Sequence, residues 1–254
     1  LMQFHDILPG SSIAWVHQEA ERKHEEVRVL LEKLIADSLT ALSGEGDIEY
    51  HFNASPVAMH GVASLGGAVA TKPQPSSNVS NSSGGFSIEN QHLIVRFDGD
   101  GIITSIFDRA QSREVIPTGG AANVVQIYRD LPTNWDAWDI EPHYNNNVTE
   151  IRNVDSIELI SNSAEGAGLR INRSFGQSKI SQDVILLHDS DVVEITSNID
   201  WHETHKLMKL AFAVDVQTAK ATSEIQFGHI ERPIHTNTAW AVSYTHLRAH
   251  ETLM

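Results

Sequence analysis

Four short stretches of this sequence carry residue types able to do chemistry. The first, Gln3-Phe4-His5-Asp6-Ile7-Leu8-Pro9-Gly10, sets an imidazole beside a carboxylate in a loop ahead of a long helical pattern. Such a pair suits a divalent metal or a sugar, while the plainer alternative has Asp6 hydrogen-bonding the helix start and His5 packing nearby. The second, Asn134-Trp135-Asp136-Ala137-Trp138-Asp139-Ile140 with Pro142, His143 and Tyr144, joins aromatic faces for stacking on sugar rings to acids for hydroxyl hydrogen bonds. Its structural alternative is a corner where Trp135 and Trp138 plug a sandwich. The third, Trp201-His202-Glu203-Thr204-His205, falls one residue short of the H-E-x-x-H spacing that places two histidines one helical turn apart. In a strand its histidines point to opposite faces, so it reads as a polar sheet edge. The fourth, Gln226 to Pro233 with His235, brings Arg232 and His235 beside a strand-like run, where Arg232 pairing with Glu231 or a nearby carboxylate is the simpler role.

The elements that must position these residues follow from hydrophobic spacing. From Ser11 to Ser43, Val16, Ala20, Val27, Leu30, Leu31, Leu34, Ile35, Leu39 and Leu42 recur at the three-and-four spacing of one helical face. Ser11 or Ser12 is expected to cap this helix, and Gly44 supplies the left-handed residue common past a helix end. A stripe of that length needs neighbouring helices to cover it, and residues 1–45 form a loop and this helix. Residues 46–70 alternate around Ile48, Tyr50, Phe52, Val57 and Val62 and begin a β region. Residues 71–85 (TKPQPSSNVSNSSGG) read as a linker or exposed loop. From Phe86 to Trp240 the runs SIENQHLIVRF, IITSIFD, NVVQIYRD, ISQDVILLH, VVEITSNIDWH and KLMKLAFAVDV, with a turn at Asp98-Gly99-Asp100-Gly101, predict a large antiparallel β-sandwich. The fold class is mainly β: one long amphipathic helix followed by that sandwich.

Composition narrows the partners. The 254 residues hold 18 Lys plus Arg against 33 Asp plus Glu, a formal net charge of −15, which opposes nucleic-acid phosphates and anionic lipid surfaces. There is no cysteine, so disulfides and thiolate chemistry are excluded and any metal must be held by histidines and carboxylates. No run of about eighteen apolar residues spans a membrane. The opening Leu1-Met2-Gln3 reads as the interior of a longer chain, and no signal segment is in view, a pattern read as cytoplasmic. Residues 241–254 (AVSYTHLRAHETLM) break from the preceding pattern and are expected to be a foreign tail. Five N-x-S/T sequons, at Asn53, Asn78, Asn81, Asn147 and Asn172, would suit a glycosylated chain and also arise by chance in one this rich in Asn and Ser.

Three ordered blocks resemble one family. Gln3 to Ile13 (QFHDILPGSSI) is similar to the Q-[FH]-H-D-x-[IL]-[PT]-G segment of glycoside hydrolase family 38, the retaining α-mannosidases. Trp135 to Tyr144 resembles the family's W-D-A-W-D-I-x-P-x-Y stretch. Gln226 to Pro233 with His235, Asn237, Thr238 and Trp240 resembles its QFG-x-x-x-R-P-x-H-x-N-T-x-W segment. After Trp240 the family continues with an Asp and a strand, from which this chain departs.

The resemblance implies a barrel-like catalytic domain, a three-helix bundle and then large β domains, with this chain starting where barrel and bundle meet. His5 matches a zinc ligand and Asp6 an adjacent carboxylate that contacts the bound sugar. The family completes the zinc sphere with a His and two Asp of the barrel, one of which is also the nucleophile, and a further Asp there is the general acid. The implied reaction is double displacement with retention by two carboxyl groups about 5 Å apart. Trp135, Asp136, Asp139 and His143 become candidate residues at the rim of the sugar site. The expected cofactor is one zinc ion, the expected partner a mannose-containing oligosaccharide or glycan, and the chain is a candidate homo-oligomer. The alternative function is a non-catalytic carbohydrate-binding or scaffold module built on the sandwich.

Overall fold

The computed structural model describes residues 4–8, 10–44, 46–59, 61–70, 78–82, 84–135, 140–163, 166–225 and 228–235. The chain divides into two compact units, 1–72 and 73–254. In the first unit, helix α1 (Ala14–Ser43) takes up the predicted apolar spacing. Its end matches expectation: Gly44 has φ 71° and donates its N–H to Thr40 O. Its start differs, because Ile13 is the N-cap and makes no side-chain capping bond. The Ser12 hydroxyl donates instead to Asp6 O at 2.8 Å, tying the helix back to the preceding turn. Val27, Leu30, Leu31, Leu34, Ile35, Leu39 and Leu42 are all exposed, and Ala20 is buried. Ion pairs one helical turn apart, such as Arg28 with Glu25 and Glu32, line the helix surface. A short hairpin, β1 (Tyr50–Phe52) with β2 (Gly67–Val69), completes this unit. Asn53 locks it by donating to the carbonyls of Val57, Val62 and Ala63.

The second unit is a two-layer sandwich. Its first layer runs through β3 (Asn78–Ser82), β4 (Gly85–Glu89), β5 (Leu93–Asp98), β6 (Ile103–Asp108), β7 (Arg113–Glu114), β8 (Ala122–Arg129) and β9 (Val148–Ile151). The second layer is β10 (Ser156–Asn162), β11 (Gly166–Phe175), β12 (Ser178–Leu187) and β13 (Glu194–Asp200), in that order. The chain then returns to the first layer as β14 (Lys206–Phe212), giving the order β14-β8-β6-β5-β4-β3 with β7 on β6 and β9 on β8. All pairings are antiparallel. Strands β15 (Lys220–Ile225) and β16 (Gly228–Pro233) pair with each other in a separate hairpin within the span read as sandwich.

Period-two burial explains why these runs become strands. In β5, Leu93, Val95 and Phe97 are buried; in β12, Ile180, Val184 and Leu186 are. All but Ile180 meet Ile88, Ile103, Leu169 and Ile171 in a core drawn from both layers, while Ile180 packs with Val125 and Ile127 in a second cluster. Each such side chain contributes about 1.5–3 kcal/mol on burial. The Asp98 to Gly101 turn forms as expected, the Asp98 carboxylate accepting from the amides of Asp100 and Ile102.

Two readings change. Residues 78–82, read as linker or loop, form edge strand β3, because pairing with β4 satisfies its backbone whatever the side chains, and Val79 packs against the core. The segment 71–77 and the tail 241–254 lie outside the described residues. His202 to His205, read as a sheet edge, is instead the connection from β13 to β14. There Glu203 accepts from the Gln177 amide at 2.8 Å and the Ser178 hydroxyl at 3.2 Å, pinning the β11–β12 turn.

A buried amide pair joins the layers: Asn123 and Gln182, both fully buried, donate to each other at 3.2 and 3.0 Å, and Gln182 also donates to Ser197. Gln182→Leu is expected to destabilise the chain by about 1–3 kcal/mol, because the Asn123 amide is left buried without this partner. The urea unfolding midpoint checks this, and an unchanged midpoint refutes it.

Candidate functional site

His5 and Asp6 sit in a compact turn made by backbone bonds, with the amides of Ile7 and Leu8 donating to Phe4 O and that of Gly10 to Ile7 O. The His5 Nε2 lies 3.1 Å from Asp6 Oδ1, and the two side chains are 71% and 42% exposed. The Phe4 ring stands 4.3 Å from that of His5. Asp6 thus holds the helix start through its carbonyl, which accepts from Ser12, and leaves its carboxylate beside the imidazole. One nitrogen and one oxygen donor facing solvent fit part of a zinc sphere, which takes four ligands. Among the described residues no group of three or more His, Cys, Asp or Glu is placed to hold a metal ion.

The second candidate site leads into the 3-10 helix Pro142–Asn146. Trp135 is 74% exposed with φ 62°, so it does not plug the sandwich. A bulky residue in that conformation costs about 1–3 kcal/mol and marks a position held by its surroundings. His143 is exposed on the 3-10 helix, while Asp136, Asp139 and Trp138 lie outside the described residues. The plug is Tyr144, which is 6% exposed and meets Tyr128 edge-to-face at 5.1 Å. Lys209, from β14, donates to the Tyr144 hydroxyl and lies 4.3 Å from the Tyr144 ring centre and 5.3 Å from that of Tyr128. Burial pushes the Lys209 ammonium pKa down and both tyrosine pKa values up. Tyr128 donates to Gln126 at 2.6 Å, Gln126 to Glu150, and Glu141 accepts from the Thr133 amide. The loop bearing Trp135 is therefore moored at both ends. Lys209 escaped sequence reasoning, and the signal for it was a lone charge inside the apolar run KLMKLAF.

In the third block, β16 pairs with β15, and Glu231 pairs with Lys220 at 2.9 Å. Arg232 is half-buried and His235 exposed, while Gln226, Phe227 and residues 236–240 lie outside the described residues.

Comparison with known proteins decides the family. The model for the C-terminal domain of glycosyl hydrolases family 38 matches residues 88–251, which is most of the chain. The chain belongs to glycosyl hydrolase family 38. The model for the α-mannosidase middle domain matches residues 1–42, the turn and helix that precede the β units. Over 94% of its length this member of the family is 31% identical to alpha-mannosidase 2C1 of Homo sapiens, covering 26% of that protein. It is 26% identical to an alpha-mannosidase of Saccharomyces cerevisiae over 96% of the chain and 24% of the relative. The chain thus spans about a quarter of the length of the curated relatives it matches. A crystal structure of a family 38 protein from Enterococcus faecalis superposes with a TM-score of 0.54 over 74% of this chain and 27% of that one at 12% identity, which supports the fold.

Proposed function

We propose that this chain is the C-terminal part of a retaining, zinc-dependent α-mannosidase that removes terminal α-linked mannose from glycans or oligosaccharides. The observation that carries this reading is the ordered match to two adjacent segments of one enzyme family, with His5 and Asp6 in the first and the moored Trp135 loop in the second. His5 would be one zinc ligand through an imidazole nitrogen, and Asp6 would accept hydrogen bonds from hydroxyls of the same sugar. Zinc, when bound, holds the mannose hydroxyls and favours ring distortion toward the oxocarbenium-like transition state. Trp135 would offer an aromatic face at the rim, and Asp136, Asp139 and His143 are the candidate polar contacts of the same segment. The chain supplies no opposed pair of acid and nucleophile in this reading, so the 254 residues alone would not turn over.

The experiment compares two proteins on an aryl α-mannoside. The purified chain is expected to give no turnover. The longer gene product, with the sequence preceding Leu1 restored, is expected to release mannose first as the α-anomer in an NMR time course. Turnover by the chain alone, or initial β-anomer from the longer product, refutes the reading.

A further inference from the structure

We propose that the outer face of the four-stranded sheet holds a binding site for a neutral, hydroxyl-rich ligand of mono- or disaccharide size, formed by Ser174, Lys179, Ser181 and Asn198 between Asp155 and Asp200. A concavity of about 300 Å³ lies over these residues, the lower end of the range for small-ligand sites. Strand register builds it. Ser174 pairs with Lys179 and Lys179 with Asp200 in one row, and Asn172 pairs with Ser181 and Ser181 with Asn198 in the next. Alternation sends Arg173 and Ile180, each 1% exposed, to the opposite, buried face. Polar residues predominate around the concavity, and Arg173 and Ile180 also border it.

Three adjacent strands thus present unused hydrogen-bonding groups. Among the described residues, Lys179, Ser181 and Asn198 have no side-chain hydrogen bond or ion pair with the rest of the chain. The flanking acids are partly engaged: Ser174 donates to Asp155 at 2.6 Å, and Asp200 stands 2.8 Å from His202. Carboxylates, an ammonium, an amide and a hydroxyl together match groups that both donate and accept, which is the property of a sugar hydroxyl.

Other ligand classes fit less well. The Asp155 carboxylate is held at Ser174 on β11, and Asp200 lies two strands away on β13, about 10 Å at the usual strand spacing, too far to chelate one cation. An anion would meet Asp155 and Asp200 against Lys179 and Arg173, the latter already flanked by Asp98, Asp100 and Asp155, on a chain of net charge −15. An apolar ligand would cover Lys179, Ser181 and Asn198 without giving their polar groups a partner, which costs more than the apolar contact returns.

The test is an NMR titration of the isotope-labelled chain with methyl α-mannoside, methyl α-glucoside and a neutral disaccharide, with glucuronate and glucosamine as charged comparators. The expected result is saturable shifts of the amides of 172–174, 179–181 and 198–200 with at least one neutral sugar. Asn198→Leu and Ser181→Val should each weaken binding about three- to ten-fold, the worth of one hydrogen bond, without changing the rest of the spectrum. No saturable shift in these segments with any neutral sugar, tighter binding of either charged comparator there, or unchanged affinity in both variants overturns the proposal.

Discussion

His5→Ala, made in the longer gene product that the proposed function calls for, is expected to lower kcat/KM on an aryl α-mannoside by about 100-fold or more. Changing a residue that merely supports a metal ligand typically costs 10–100-fold, and His5 is proposed as a ligand itself. The loss should appear also in bound zinc, measured by elemental analysis of the purified protein, because an alanine leaves one of four ligand positions empty. A structural explanation of that loss is unattractive on the geometry. The turn carrying His5 is closed by backbone bonds from Ile7, Leu8 and Gly10 and by the Ser12 hydroxyl on Asp6 O, none of which uses the imidazole. The ring is mostly solvent-exposed, so its removal forfeits little packing. Asp6→Asn separates the two roles: it should raise KM with little change in zinc content, since a neutral amide makes a weaker hydrogen bond to a sugar hydroxyl than a carboxylate and leaves the His5 imidazole in place. Wild-type zinc content and rate in the His5→Ala protein would remove His5 from the site.

The limits of sequence reasoning are physical and fall on particular residues. Strand β5 was legible because the buried Leu93, Val95 and Phe97 recur at every second position, the period that a sheet with one buried face imposes. The Asp98 to Gly101 turn was legible because an Asp side chain satisfies the backbone of its own turn. Strand β3 was not, since its side chains are mostly small and polar and its pairing with β4 is made by the backbone. The α1 start misled for a related reason: Ser12 has the right type for a cap, but its hydroxyl bonds six residues back. At the site, His5 and Asp6 are neighbours in sequence and could be read as a pair. The mooring of the Trp135 loop could not, because Lys209 reaches Tyr144 across 65 positions, and no local pattern records such a contact.

Gly85→Ala should be the most damaging single methyl added to the sandwich. A Cβ on Gly85 would lie 1.9 Å from Phe97 O and 2.9 Å from Phe97 C, both backbone atoms of the neighbouring strand. A clash with a flexible side chain can be relieved by rotation, whereas this one requires β4 and β5 to move apart where Phe86 pairs with Phe97. Those strands carry Ile88, Val95 and Phe97 into the core, so separating them also opens the packing between layers. Overpacking a rigid site costs about 1–3 kcal/mol and sometimes more. The upper part of that range applies here, because the obstacle is backbone on a strand paired on both sides, and it is a large fraction of a typical total of about 5–15 kcal/mol. The expected outcome is a melting temperature lowered by many degrees and a smaller soluble yield. Gly84→Ala is the matched control, since a Cβ there meets nothing within 4 Å, and it should melt like the parent. If both variants melt alike, the close approach of Phe97 O to Gly85 is not a constraint on this fold.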